Sequence, residues 1–164
     1  MNDWGIPVDV KRMHEEAKFP YKSKEEDSCY DLTATSIEYL GAGKWIVGCG
    51  WAMEPSKGFK LLIVPRSSIT KTSFIIQNSP CQIDENYRGE FLTVFQALPK
   101  SFSDVESNVV GKCGQSITYP QFPYKVGDRY AQMYIERVLE CNFREVSELT
   151  ETERNDGGFG SSGL

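Results

Sequence analysis

Apolar residues in this chain come in short runs that never lengthen into a helical stripe, and this limits its folds more than any other feature. The runs are KWIVGCG at 44–50, GFKLLIV at 58–64, FIIQN at 74–78, GEFLTVFQA at 89–97 and RYAQMYIERVL at 129–139. They are rich in β-branched and aromatic residues, which suit a pleated, half-buried surface. Gly, Pro and Ser interrupt them at short intervals. Many short strands divided by turn signals predict an all-β barrel or sandwich. One short helix is expected after Pro65, where RSSITK begins with helix-capping residue types.

Composition narrows the function classes. A length of 164 residues suits one domain. With 40% hydrophobic and 25% charged residues, the chain is of ordinary globular type. A net charge of −5 and a pI of about 5.0 leave no surplus of Lys and Arg for coating nucleic acid. The apolar run LLIV at 61–64 is far short of the ~20 residues a membrane-spanning helix needs. The N-terminus, MNDWGIPVDVKRM, has no charged leader followed by an apolar run, so a cytoplasmic, reducing compartment is expected. Five cysteines are spread along the chain without a C-x-x-C pair, which argues against a disulfide framework and a zinc site. The single histidine, His14, lies in the charged stretch KRMHEE, so histidine-dependent nucleophilic catalysis would need His14 itself as the base.

Two segments depart from the strand pattern. Residues 98–124 are polar and contain Pro99, Gly111, Gly114 and Pro120, so they read as a long loop or insertion between strands. From 147 onward, Glu148, Glu151 and Glu153 lead into RNDGGFGSSG at 154–163. Clustered glycines lose much backbone entropy on folding and contribute little to a core. The expected organisation is a β domain over 1–146, interrupted at 98–124, and a flexible C-terminal arm over 147–164.

Four constellations carry candidate chemistry, and each has a plainer structural alternative. The arm is either a bare Gly/Ser end, or a lid in which Phe159 covers a base or sugar and Arg154 reaches a phosphate. PRSS at 65–68 follows a strand; an arginine fork, two hydroxyls and a helix start make a phosphate cradle or an ordinary cap. IDENYRG at 83–89 has good turn chemistry between strand-like flanks and reads as a β-hairpin. Its Asp84 is either a turn residue or a general base. GDRYAQ at 127–132 is a turn entering a strand, from which Gln132 can donate to a ligand oxygen or simply pack.

Together with CYDLTA at 29–34, these segments resemble the five motifs of the homotrimeric dUTPase family, in order. The others are PRSS, NSPCQIDENYRGE at 78–90, GDRYAQM at 127–133 and RNDGGFGSSG at 154–163. The resemblance implies a distorted, jelly-roll-like β-barrel and hydrolysis of dUTP to dUMP and pyrophosphate, limiting uracil in DNA and supplying dUMP for dTMP synthesis. It implies Asp84 as general base for an attacking water, and Tyr87 stacked under the deoxyribose. The backbone around Gln82 and Ile83 would read uracil, with Asn78 helping to hold the pyrimidine. Arg66, Ser67, Ser68 and Gln132 would hold phosphates. Asp31 would lie near Mg²⁺, acting through water. From the arm, Arg154 would engage the terminal phosphate, Phe159 would cover uracil, and Gly160 and Ser161 would contact phosphates. A homotrimer with shared sites is implied, without nucleic-acid or membrane partners. The variations resemble phage or viral members, which would place the protein in a host cytoplasm.

The pattern is not followed everywhere. Ser28-Cys29 stands where the family usually has Ala-Gly, and Cys81 replaces a usual glycine. Tighter φ limits at Cys81 would shift the hairpin and soften uracil selectivity. Tyr130 replaces an aliphatic residue, and 98–124 is longer than the usual link. Two other functions remain in view. One is a dUTPase-like regulatory protein that binds a protein partner through 98–124. The other is a dCTP deaminase, whose catalytic glutamate would fall at Val94.

Overall fold

The computed structural model describes residues 5–98, 109–110, 116–117 and 119–156. The chain forms β1 (Val8–Arg12), β2 (Tyr30–Thr33), β3 (Ser36–Gly41), β4 (Lys44–Gly48), β5 (Trp51–Pro55) and β6 (Phe59–Pro65). A 3-10 helix, Ser67–Lys71, precedes β7 (Phe74–Ile76), β8 (Cys81–Ile83) and β9 (Leu92–Ala97). Then come β10 (Val109–Val110), β11 (Ser116–Ile117) and β12 (Arg129–Arg137). The all-β expectation holds, as does the short helix after Pro65. No helix among the described residues is long and apolar enough to cross a membrane.

Two four-stranded sheets dominate, with strand orders β2-β12-β6-β8 and β3-β4-β9-β7. β1 pairs with β5, and β10 with β11. Both large sheets contribute to one core: Leu32, Leu61, Ile63, Ala131 and Met133 from the first, Val47, Phe74, Ile76 and Phe95 from the second. β6 is a central strand whose middle, Leu61–Ile63, is buried, consistent with its unbroken apolar run.

The reading of 83–89 as a β-hairpin is corrected. β8 pairs with β6 through Leu61↔Ile83, Leu62↔Gln82 and Ile63↔Cys81. β9 pairs with β4 and β7 in the other sheet. Asp84 to Glu90 therefore carries the chain from one sheet to the other. Turn chemistry fixes the reversal but not which partners the flanking strands choose. Cys81 lies in this strand with its side chain buried and is not among the positive-φ residues, so glycine's freedom is not required there.

The end of the 98–124 stretch is not a polar excursion. Phe122 is buried and stacks on Trp45 with centroids 4.9 Å apart and planes 16° from parallel. It also meets Phe74 and Phe95 edge-on at 5.3 and 5.4 Å. Tyr119 packs so closely over Gly43 that a Cβ there would strike its ring. The chain thus returns from this segment through an aromatic plug between the ends of β4, β7 and β9.

Candidate active site

Asp31 is the focus of the first half of the site. It lies on β2, opposite Gln132 of β12, which in turn lies opposite Val64 of β6. That register brings the start of PRSS beside Asp31. Arg66 Nε donates to Asp31 Oδ1 at 2.7 Å, and Arg129 Nη1 donates to Oδ2 at 2.8 Å. The Ser23 hydroxyl accepts from Arg129 Nη1 at 3.0 Å and donates to Asp31 Oδ2 at 3.4 Å. Arg66 Nη1 also reaches Ser68 Oγ at 3.5 Å.

A register shift between Arg129 and Ala131 explains how Arg129 arrives there. Such a bulge breaks the two-residue alternation and re-aims a side chain. Arg129 consequently joins the face of Gln132, while Tyr130 turns into the core. One carboxylate against two guanidiniums leaves the cluster with net positive charge. The bond to Asp31 raises the already high pKa of Arg129. A cavity of about 300 Å³ is lined by Ser23, Asp27, Ser28, Cys29, Asp31, Arg66 and Gln132. Its lining combines one arginine fork, hydroxyls and an amide, groups able to bind polyphosphate oxygens, with the carboxylates of Asp27 and Asp31. The adjoining helix is a five-residue 3-10 turn with no side-chain cap.

The second half surrounds Asp84, at the end of β8. The Tyr87 amide closes a turn on Asp84 O at 3.0 Å. Arg88 Nη1 donates to Glu85 O at 2.6 Å and Tyr87 O at 3.0 Å, and Arg88 also pairs with Glu54. The Tyr87 hydroxyl donates to Glu90 O at 3.1 Å, and its ring lies over Gly89, where any Cβ would collide with it. Tyr87 is thereby held half-exposed on this turn. A second cavity, of about 330 Å³, is lined by Lys57, Gly58, Lys60, Gln82, Asp84, Glu85, Val138 and Glu140. Asn78 uses its side chain to brace β9, accepting from Val94 N at 3.1 Å and donating to Leu92 O at 3.5 Å. One N–H and one lone pair of its amide remain for other partners.

Within one chain the halves are apart. Asp31 is on β2 and Asp84 follows β8, the two opposite edges of one four-stranded sheet. Three inter-strand steps and four residues along the strands put them roughly 20 Å apart. The structure thus groups Asp31, Arg66, Ser68 and Gln132, and separately groups Asp84, Gln82 and Tyr87. Of the arm, Arg154 sits in a turn closed by Thr152 and Asn155, whose side chains each accept from the other's backbone N–H at 3.0 and 2.8 Å. Phe159, Gly160 and Ser161 lie outside the described residues. Sequence reasoning assigned no role to Arg129 or Ser23. Arg129 was visible in GDRYAQM, but its aim depends on the bulge, and Ser23 meets it only through the fold.

Three thiols are unsuited to nucleophilic chemistry. Burial raises the pKa of Cys29 and Cys81 and pushes Cys49 up to about 12, the reverse of thiol activation. Among the described residues there is no cluster of three or more His, Cys, Asp or Glu side chains able to hold a metal.

Comparison with known proteins identifies the family. A sequence model of the dUTPase family matches residues 115–163. A deoxyuridine 5'-triphosphate nucleotidohydrolase from Hydrogenobaculum sp. is 32% identical, over 94% of this chain and 96% of the relative. Among solved structures, a point mutant of the Staphylococcus bacteriophage 80alpha dUTPase with dUpNHpp superposes with a TM-score of 0.74 at 20% identity, covering 96% of this chain and 99% of that one. A point mutant of the dUTPase from the S. aureus phage phi11, described with a structural Mg(II) ion, gives a TM-score of 0.66 at 21% identity, covering 88% and 99%. A relative above 30% identity across nearly the whole length, joined to the five ordered motifs, shows that the chain belongs to the dUTPase family.

Proposed function

We propose that this protein hydrolyses dUTP to dUMP and pyrophosphate, at sites shared between subunits of a homotrimer. The observation that carries this reading is the division of the site. The phosphate-binding cluster around Asp31 and Arg66 and the Asp84 turn are too far apart to act on one triphosphate within a single chain. Each is nevertheless complete as half of a site. A second copy that brings its Asp84 turn to the Asp31 cavity supplies what is missing. Residues 138–156 favour such assembly. They run without regular strand or helix and leave Leu139, Phe143 and Leu149 at 75%, 96% and 87% exposure, side chains that a neighbouring copy would cover.

In this reading Arg66, Ser67, Ser68 and Gln132 hold the phosphates, with Arg129 fixing Asp31. Asn78 and the backbone at Gln82 and Ile83 read the pyrimidine, and Tyr87 supports the sugar. Asp84 orients a water and takes its proton as the water attacks the α-phosphorus in line. Arg154, Phe159, Gly160 and Ser161 close the site from the arm. Phosphoryl transfer of this kind depends mainly on positioning and charge neutralisation.

Magnesium fits this donor set in a limited way. Mg²⁺ keeps several waters and is held by one or two carboxylates together with substrate phosphates. Asp31, with both oxygens engaged by arginines, is suited to a contact through water rather than to direct ligation. When bound, the ion would supply charge neutralisation on the triphosphate. Deamination is disfavoured because β9, LTVFQA, carries no glutamate and Val94 is paired into the sheet opposite Ile46. The reaction would limit uracil in DNA, and its product would feed dTMP synthesis.

The test is turnover of dUTP with Mg²⁺ in water labelled with heavy oxygen. The reading expects equal dUMP and pyrophosphate, with label on dUMP alone and turnover lost in Asp84→Asn. Label on pyrophosphate, or no turnover, would overturn it.

A further inference from the structure

Lys60 is absent from the five motifs, yet it lines the cavity that contains Asp84. We infer that Lys60 is a positioning residue for Asp84, holding the end of β8 from the adjacent strand. The inference rests on the proposed role of Asp84 as the base.

The register carries the argument. β6 and β8 pair through Leu61↔Ile83 and Leu62↔Gln82, and the same register continued one residue past the end of β8 would set Lys60 across from Asp84. Lys60, Leu62 and Gln82 therefore share one face of the sheet, and Lys60, Gln82 and Asp84 line the same cavity. On the other side of β6, Lys60 lies opposite Glu136 of β12. The Lys60 ammonium is held between its neighbours: Nζ is 3.1 Å from Glu136 Oε2 and donates to Gln82 Oε1 at 3.2 Å. A row of side chains thus crosses three strands, from Glu136 through Lys60 to Gln82, two residues before Asp84.

A second tie acts on the other flank of Asp84. The Gly58 amide donates to Glu85 Oε2 at 2.9 Å. Gln82 and Glu85, on either side of Asp84 in sequence, are both bound to residues 58–60. β8 has only three residues and lies at the edge of its sheet, so its own ladder holds it weakly. The charged groups lining the cavity with Lys60 are Lys57, Asp84, Glu85 and Glu140. Within this lining, Lys60 combines an anchor on one neighbouring strand with a bond to β8 on the other side. Misplacement of a catalytic group by about 1 Å costs up to about a hundredfold in rate, so a brace at this point acts on kcat.

The experiment uses the full chain and compares wild type, Lys60→Met, Lys60→Arg and Glu136→Gln, with Asp84→Asn as control. Lys60→Met preserves length and stem while removing the ammonium. The expected result is a fall in kcat of about tenfold with KM for dUTP within about twofold, and recovery to within about threefold in Lys60→Arg. Glu136→Gln should lower kcat less, and should have no further effect on the Lys60→Met background. Unchanged kcat in Lys60→Met, a rise confined to KM, or equal losses in the Met and Arg variants would each overturn the inference. An inactive wild type, or an active Asp84→Asn, would instead refute the reading beneath it.

Discussion

Replacing Asp31 with asparagine keeps the shape of the side chain and removes the charge that two arginines share. Arg66, with 23% of its side chain exposed, donates to Asp31 Oδ1 at 2.7 Å. A charge-assisted bond of this type is worth about 2 kcal/mol. Arg129 is more exposed and screened by solvent, so its bond to Oδ2 adds little to stability. The substituted amide would retain only weaker accepting capacity, leaving a net loss of about 2 kcal/mol. For a chain of this size, that lowers Tm by roughly 4–8 °C. The assay is thermal unfolding without nucleotide, at a fixed protomer concentration because assembly couples to stability. In parallel, the lost negative charge makes the cavity beside Arg66 and Arg129 more cationic, so inorganic triphosphate should bind more tightly. Turnover with Mg²⁺ should fall by about tenfold to a hundredfold, as expected when a group near a metal is removed. A Tm within about 1 °C of wild type, together with unchanged triphosphate affinity, would refute the claim that Asp31 restrains both arginines.

Two further outcomes concern other parts of the chain. Phe122→Ala empties a site bounded by Trp45, Phe74, Phe95 and Tyr124 and should destabilise the protein by about 3–5 kcal/mol in urea unfolding; a loss below about 1 kcal/mol would show that the plug is dispensable. Deleting residues 154–164 should nearly abolish dUTP turnover while leaving the oligomer intact by light scattering, and full activity in the truncated chain would remove the arm from the mechanism.

The fold was legible where apolar side chains are dense. β4, β6, β7, β9 and β12 coincide with the runs at 44–50, 58–64, 74–78, 89–97 and 129–139, although most end earlier than the runs do. β1 and β3 were not, because VDVKR and SIEYLG are largely exposed and carry weak patterns. β8 is too short to show periodicity. The supposed hairpin failed for a different reason: Asp84–Tyr87 does form a turn, but β8 and β9 choose partners that only the assembled sheets provide. Phe122 was hidden by its polar surroundings. At the site, residue types were legible and geometry was not. Asp31 and Arg66 were found through their motifs, whereas their direct ion pair, the bulge that turns Arg129 toward Asp31, and the placing of Lys60 in the cavity of Asp84 depend on strand register.

On the proposed function, dUTP is cleaved where the Asp84 turn of one copy meets the Asp31 and Arg66 cavity of another. Subunit complementation tests it most directly. Asp84→Asn and Arg66→Ala, each inactive alone, would be unfolded together, refolded as a mixture and assayed for pyrophosphate release from dUTP. Shared sites restore a substantial fraction of wild-type activity, because some sites in mixed oligomers receive both intact halves. Sites built within one chain would leave the mixture as inactive as its components, and that result would contradict the account.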